Sequence, residues 1–491
     1  MNLTSTHLLA ISPLIIVGLT VMVVMLAVAW RRCHAASATL TFLGLGAALA
    51  ATFWIGMSGL LPAGDHPALM VTPLVQIDHY SLIFSGMALI GGMGCTLLGK
   101  TYFDRFDDHR DEYYMLLACS VMGAMLLASS VHLASLFVGL ELMSVALYGM
   151  AAYAYRQRVS LEAGIKYMVL SAVATAFLLF GMALLYAACG TLSFFDLGRH
   201  FGLVGGHWVA IGVALMVIGL GFKLSIVPFH LWTPDVYEGA PMPVTAFLAT
   251  VSKIGVFAVL LRFFLIAPVD RDMLYTIMGV LAMLSMVGGN LLALRQHNLK
   301  RIMGYSSIAH LGYLMTVIVA LQYGSDLHVS SAEAAVVYLF MYMLTSLGAF
   351  SIMTLVSCPW EGQDAGNLYN YRGLFWHHPY QAAGMSLMMI SMAGIPLTAG
   401  FVGKFYIVSV GVDVRLWWLV GALVLGSAIG LYYYLRVMIT LFLSERNDEG
   451  YTTGTLKGSS CALVMAFVVT TVVWLIGLYP TPLIDLVHVN L

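Results

Sequence analysis

The sequence predicts an all-α protein that crosses a membrane about fourteen times, and three observations carry that prediction. Hydrophobic residues make up 61% of the 491 and charged residues 9%, too little polar surface for a water-soluble globule of this length. Mean hydropathy is +0.92. Apolar runs of roughly 20 residues, the length that spans a bilayer, recur along the whole chain.

In order, the segments fall at about 8–30, 38–61, 80–100, 113–131, 132–154, 164–188 and 207–230. They continue at about 242–265, 273–294, 302–322, 331–356, 379–410, 416–443 and 459–480. The first is longer than a signal-peptide core and has no basic stretch before it, so it reads as a retained span. The six cysteines, Cys33, Cys95, Cys119, Cys189, Cys358 and Cys461, are scattered and form no CxxC. They read as small hydrophobes, with no disulfide framework or iron–sulfur site implied. A net charge of −1 without a basic run leaves no electrostatic footprint for nucleic acid.

Lysine and arginine set the expected orientation. One face carries Arg31, Arg32, Lys100, Arg105, Arg110, Arg156, Arg158, Arg295, Lys300, Arg301, Arg372, Arg436, Arg446 and Lys457, fourteen residues. The other carries Arg199, Arg262, Arg271 and Arg415. The richer face is expected in the cytoplasm, and an even number of spans then puts both termini on the opposite side.

Four basic residues remain inside proposed spans, Lys166, Lys223, Lys253 and Lys404, and all are lysines. A charge near the bilayer centre costs about 2.5 to 3.5 kcal/mol on an insertion scale, so such groups face a cavity or partner and mark ion paths. Lysine gives up its proton when desolvated far more readily than arginine, which suits groups that exchange protons. Lys223 and Lys253 flank a cluster of Pro228, Pro234, Pro241 and Pro243. Pro228 removes a backbone donor five residues after Lys223, so the helix is expected to unwind there and leave carbonyls that need a cavity or water. A second interrupted segment holds Gly394, Pro396, Gly400, Gly403 and Lys404 and echoes the first, with Lys404 in the place of Lys223.

Glu141 sits near the middle of its segment, where a carboxyl is either protonated and hydrogen-bonded to a neighbouring helix or a proton site paired with a lysine. Lys166 follows Glu162 at i+4 and reads either as a snorkelling structural lysine or as a member of the proton path. His230 and His310 are either hydrogen-bonded packing residues or proton relays, because imidazole titrates near neutrality. Asp235 and Glu238 read as solvated or helix-capping groups in a polar loop. No dinucleotide fingerprint, phosphate loop or haem-like histidine pair is present, and the chain shows no nucleophile with a base and no metal-ligand cluster.

Three stretches, GLGFKLSIVPFHLWTPDVYEGAPMPV, NLKRIMGYSSIAHLGY and AGIPLTAGFVGKFY, together with VGLELMSVALYGM and YLRVMITLFL, resemble the antiporter-like membrane subunits of proton-pumping NADH:quinone oxidoreductase, respiratory complex I. The resemblance covers nearly the whole chain. It implies fourteen helices with two inverted five-helix repeats, each holding a broken helix. The units are then residues 1–110 for helices 1–3, 111–265 for the first repeat, 266–445 for the second and 446–491 for the last helix. It further implies that Glu141 of the fifth helix, Lys223 of the broken seventh, Lys253 of the eighth and Lys404 of the broken twelfth carry protons. Within the family, lysine at 404 separates the chain from M-type members, and a chain that stops soon after its fourteenth span separates it from L-type ones.

By that resemblance the chain holds no cofactor of its own, while its host complex uses NADH, FMN, iron–sulfur clusters and a quinone. Its partners are the M-type and L-type antiporter-like subunits and small membrane subunits, in a bacterial inner membrane with both termini periplasmic. Related subunits also occur in multisubunit sodium/proton antiporters and membrane-bound hydrogenases. A scaffold whose buried charges only fix helix register is the alternative of another class.

Overall fold

The computed structural model describes residues 4–61, 68–104, 110–201, 207–267, 272–323, 328–357, 364–444 and 460–490. Arg105, Arg271, Arg446, Lys457 and Cys358 lie outside the described residues. The first crossings are α1 (Ser12–Trp30), α2 (His34–Met57), α3 (His79–Phe103), α4 (Glu112–Ser129), α5 (Leu133–Ala151) and α6 (Arg158–Cys189). Next come α7 (His207–Leu224) and the short α8 (Trp232–Gly239), which together make one interrupted crossing. Helices α9 (Met242–Ala249) and α10 (Val251–Ile266) form another, kinked at Thr250. Then follow α11 (Asp272–Leu294), α12 (Leu299–Ala320), α13 (His328–Val356), the interrupted pair α14 (Pro379–Ala393) and α15 (Ala399–Asp413), α16 (Trp417–Phe442) and α17 (Ser460–Leu478).

Thirteen of these crossings contain a stretch long and apolar enough to span a bilayer, α7 alone and the kinked α9–α10 pair among them. The fourteenth is the pair α14–α15, each half too short to span alone, so the expected count holds among the described residues. The 379–410 segment is therefore two helices meeting at a break.

Burial sorts the helices into a centre and a rim. Met242–Ile266, Leu299–Tyr323 and Ser330–Val356 are almost wholly enclosed by protein, whereas α1, α2, α6 and α17 turn most of their apolar surface outward. Without a hydrophobic drive between helices in lipid, close approach depends on small residues. Gly181 on α6 and Gly212 on α7 show this. A Cβ on Gly181 would come within 2.5 Å of the Gly212 carbonyl, and one on Gly212 within 3.0 Å of the Gly181 carbonyl. That contact fixes α7, and with it Lys223, against α6.

Three positions differ from the sequence expectation. Residues 68–78 form an antiparallel hairpin, β1 (Ala68–Thr72) and β2 (Val75–Asp78), where only a connection was expected. Arg262, expected at an outer surface, is 3% exposed inside α10 and holds Asp78 through two hydrogen bonds of 2.8 and 2.7 Å. Its guanidinium lies 4.5 Å over the Tyr80 ring, so it is enclosed by the hairpin end and the start of α3. Lys300, counted among loop charges, is 1% exposed at the start of α12. It donates to the Ala240 carbonyl at 2.6 Å, where α8 ends, and pairs with Asp364 at 2.7 Å. Sequence windows place a charge near the end of an apolar run without telling whether water or protein meets it there.

Candidate functional site

The α7 helix stops at Leu224, and Ser225 takes a left-handed backbone conformation with φ of 63°. Because Pro228 has no N–H, the ladder cannot continue, and carbonyls near the end of α7 lose their partners. Side chains replace them. Trp232 Nε1 donates to the Phe222 carbonyl at 2.9 Å, and Lys253 Nζ donates to the Lys223 carbonyl at 2.8 Å. The cation thus sits at the negative end of a helix dipole, which favours it there. Lys253 also donates to Ser225 Oγ at 2.6 Å, Thr233 Oγ1 donates to the same oxygen at 2.6 Å, and the Trp232 ring lies 5.1 Å from the amine. Lys253 has no exposed surface.

Lys223 points to the other side of the break. Its amine donates to Ser144 Oγ on α5 at 2.6 Å and to Ser171 Oγ on α6 at 2.5 Å, with the Tyr148 and Tyr167 rings each 5.7 Å away. The expected direct pairing with Glu141 is not what the geometry has. Glu141 Oε1 instead accepts from Thr175 Oγ1 at 2.9 Å, and among the ion pairs of the described residues there is none between Glu141 and Lys223. Ser144 follows Glu141 by one turn on α5, and Thr175 follows Ser171 by one turn on α6. Carboxylate and amine are therefore neighbours along the same two helices, held apart by a ladder of hydroxyls. The sequence reading missed Ser144, Ser171 and Thr175; only Ser144, three residues after Glu141, had a local spacing that could have pointed to it, since Ser171 and Thr175 lie on another helix.

At the second break α14 ends at Ala393, Gly394 has φ of 81° and Leu397 has φ of 70°. Lys404 reaches back from α15 to donate to the Ala393 carbonyl at 2.8 Å and to Ser427 Oγ at 3.2 Å, 5.4 Å from the Tyr313 ring. Like Lys253, it places its ammonium on the carbonyl end of an interrupted helix. The sequence matched Lys404 with Lys223; in its hydrogen bonding it matches Lys253. Gly394 is needed twice here, for its positive φ and because an added Cβ would meet Lys404 Cδ at 2.7 Å. Gly394→Ala is expected to lower stability by about 1–3 kcal/mol from backbone strain alone. It should also push the Lys404 amine off the Ala393 carbonyl, and a thermal unfolding midpoint equal to that of the parent would contradict this.

His310, 5% exposed, is enclosed by tyrosines. Its Nδ1 meets Tyr338 OH at 2.6 Å and its Nε2 meets Tyr434 OH at 3.1 Å, while Tyr434 also bonds Ser306. The Tyr313 ring stands between it and Lys404, 5.5 Å from the imidazole and 5.4 Å from the amine. His230 lies in the turn between α7 and α8, and its buried Nδ1 has no hydrogen-bond partner among the described residues. Lys166 belongs to a different set. It pairs with Glu162 at 2.6 Å and Asp235 at 3.0 Å, and Arg301 bridges Asp235 at 2.9 Å and Glu238 at 2.7 Å. Asp235 and Glu238 are thus ion-pair partners on α8, which they tie to α6 and α12, where the sequence suggested solvated or capping groups.

The geometry brings Lys223, Lys253, Lys404 and His310 into one buried interior, leaves Glu141 half-buried beside it, and places Lys166 in a more exposed charge network. Residues 130–430 match the family model described as NADH:quinone oxidoreductase/Mrp antiporter, transmembrane. A solved chain of respiratory complex I from Thermus thermophilus with bound aureothin is 31% identical, with 96% of this chain and 98% of that chain covered and a TM-score of 0.81. A chain of the membrane-bound sulfane sulfur reductase, an archaeal respiratory membrane complex, is 23% identical over 99% and 96% with a TM-score of 0.79. A chain of the Mrp complex from Dietzia sp. is 19% identical over 99% and 97% with a TM-score of 0.82. The last two show likeness of fold.

Proposed function

This chain belongs to the NADH:quinone oxidoreductase/Mrp antiporter transmembrane family, and from that premise we propose that it is the proton-translocating N-type membrane subunit of a bacterial NADH:quinone oxidoreductase. The observation that carries the reading is the bonding of the buried lysines at the two helix breaks, Lys223, Lys253 and Lys404. Each amine rests on hydroxyls or helix-end carbonyls rather than on a carboxylate, so each can bind and release a proton without breaking a buried ion pair. A lysine locked to a carboxylate would serve packing better and transfer worse.

In this reading protons are taken up from the arginine-rich, cytoplasmic face, reach Lys223 and Lys253, cross to Lys404 and leave on the other side. An ionised Glu141 attracts positive charge to Lys223 through the hydroxyl ladder, and its neutralisation or displacement lets that charge move on. Moving one charge against 100 mV takes about 2.3 kcal/mol. Quinone reduction elsewhere in the complex supplies it, with NADH, FMN and iron–sulfur clusters held by other subunits. The M-type and L-type subunits and small membrane subunits are the proposed neighbours. Lys404, where M-type members carry glutamate, supports the N-type assignment.

The test is proton pumping by membrane vesicles carrying Lys223→Ala or Glu141→Ala, with electron transfer followed in parallel. A lowered proton-to-electron ratio is expected, and normal ratios in both variants would end the proposal. The family model spans Mrp antiporters as well, which favours sodium/proton exchange as the second reading. Mild detergent extraction separates the two. Flavin and iron–sulfur subunits in the purified complex select the oxidoreductase; membrane subunits alone, with sodium-dependent proton flux independent of NADH, select the antiporter.

A further inference from the structure

At each break a serine oxygen meets both a lysine and a second hydroxyl, but the two are built differently. At the first, Ser225 Oγ accepts from Lys253 and from Thr233, and the serine and threonine belong to the same interrupted crossing. At the second, Ser427 Oγ on α16 accepts from Lys404 on α15 and also bonds Tyr313 OH on α12. This acceptor is assembled from helices outside the break, so its geometry depends on what ties those helices together.

Asn290 on α11 ties them. Its Nδ2 donates to the Met286 carbonyl at 2.6 Å, one turn back on the same helix, and to Tyr313 OH at 2.9 Å. Its Oδ1 accepts from Tyr433 OH on α16 at 2.9 Å. Asn290, Tyr313 and Tyr433 are all buried. The amide lies against two glycines one turn apart on α16. A Cβ on Gly426 would stand 3.1 Å from both Asn290 Nδ2 and Tyr313 OH, and one on Gly430 3.1 Å from Asn290 Oδ1. These small residues let α16 approach closely enough for Ser427, next to Gly426, to reach the amine. The bonding also has one sense. A carbonyl only accepts, so the amide end at Met286 is the NH2, and both of its hydrogens are used. Tyr313 OH accepts one of them and keeps its own hydrogen for Ser427. Ser427 Oγ then commits one lone pair to Tyr313 and one to Lys404, with its hydrogen turned away from the amine. Lys404 donates to this oxygen and to the Ala393 carbonyl, with the Tyr313 ring 5.4 Å away, and each of these contacts suits an ammonium.

We infer that Asn290 is a positioning residue for Lys404: through Tyr313 it presents Ser427 to the amine as an acceptor, and it fixes the spacing of α11, α12 and α16 around the second break. The inference rests on the proton-translocating reading above and adds to it a residue that carries no proton itself. Because the lock spans three helices, a displacement of α16 relative to α12 is felt at the Lys404 amine, whereas the first break carries its serine and threonine within one crossing.

The experiment uses the assembled complex in membrane vesicles and compares variants of the lock with Lys404→Met. Asn290→Leu, Tyr313→Phe and Ser427→Ala are each expected to slow proton transfer through this subunit about fivefold, the size of one neutral hydrogen bond, and so to lower the proton-to-electron ratio. Asn290→Leu/Ser427→Ala should fall no lower than Ser427→Ala alone, because both changes act at one oxygen. Losses that add in the double variant would mean that Asn290 serves packing only, and would overturn the inference. If Asn290→Leu fails to assemble, Tyr313→Phe/Ser427→Ala carries the same test, since phenylalanine keeps the ring. Ser427→Thr, which retains the hydroxyl, should recover most of the ratio, and a value as low as that of Ser427→Ala would count against the acceptor role. Thr316→Val removes another buried hydroxyl one turn along α12 and is expected to keep the parental ratio. A loss there equal to that of Tyr313→Phe would overturn the inference. A lowered ratio in Lys404→Met with a parental one in Tyr313→Phe would overturn the positioning role and leave the pump reading standing. Parental ratios in both would overturn both.

Discussion

Replacing Lys253 by methionine is expected to reduce proton translocation through this subunit at least about tenfold while the chain still folds and assembles. The amine makes two direct bonds, to the Lys223 carbonyl and to Ser225 Oγ. Methionine fills a similar volume, and Ser225 keeps Thr233 as a partner. The unfilled debt is the Lys223 carbonyl, worth about 1–3 kcal/mol, which is a loss the buried centre can absorb. Translocation has no such reserve, since among the described residues no other titratable side chain donates to the Lys223 carbonyl. Lys253→Arg separates cap from carrier. Arginine keeps a cation at the end of α7 but does not release its proton in proteins. It should therefore recover part of the lost stability, less about 1–3 kcal/mol for the extra bulk, and recover no transport. Wild-type pumping by either variant would remove Lys253 from the path.

The contrast between charge and hydroxyl explains what could be read from residues alone. A lysine in an apolar run is conspicuous, and Lys223, Lys253 and Lys404 stood out for that reason. Two proline- and glycine-interrupted segments likewise announced two broken helices. Serine and threonine are ordinary in membrane helices, so Ser144, Ser171, Ser225 and Thr233, which bond the amines or the residues that do, carried no comparable signal. Nor could linear spacing show that Lys253 and Lys404 share one role, because each reaches a carbonyl 30 and 11 residues away in the chain. Arg262 and Lys300 were misplaced for a related reason. Both lie near the ends of apolar windows, where a sequence reads a charge as wet, and both are buried against a partly buried carboxylate instead.

Arg262 gives the second large expected effect. Asp78→Asn is expected to cost about 3–5 kcal/mol of stability, the usual penalty for stranding one partner of a buried ion pair. The guanidinium is 3% exposed and one of its nitrogens, Nε, already lacks a partner among the described residues. Asparagine preserves the cap that Asp78 provides to Ser81 N at 2.8 Å, while its amide nitrogen in place of Oδ2 can no longer accept from Arg262 and Gln76. Removing both charges, as in Asp78→Asn/Arg262→Leu, should return most of the stability, because nothing is then stranded. Acid gives the same answer in the parent. Burial would raise the Asp78 carboxyl, but the Arg262 guanidinium beside it and the bonds from Arg262 and Ser81 outweigh burial and hold it below the usual carboxylate range. A group depressed in the folded state stabilises fully above its unfolded value, about 3.9, and loses that contribution as pH falls through the folded one. Parental stability from this pair should therefore decline only below about pH 4, and the double variant should lack that component. Thermal unfolding of the detergent-purified protein from pH 3 to 7 reads both. Arg262 is nine residues from Lys253 on α10, about 14 Å along the helix, so the hairpin clamp also fixes the height at which Lys253 meets the end of α7. A loss under about 1 kcal/mol for Asp78→Asn would mean that the pair is solvated and that α10 is positioned by packing alone.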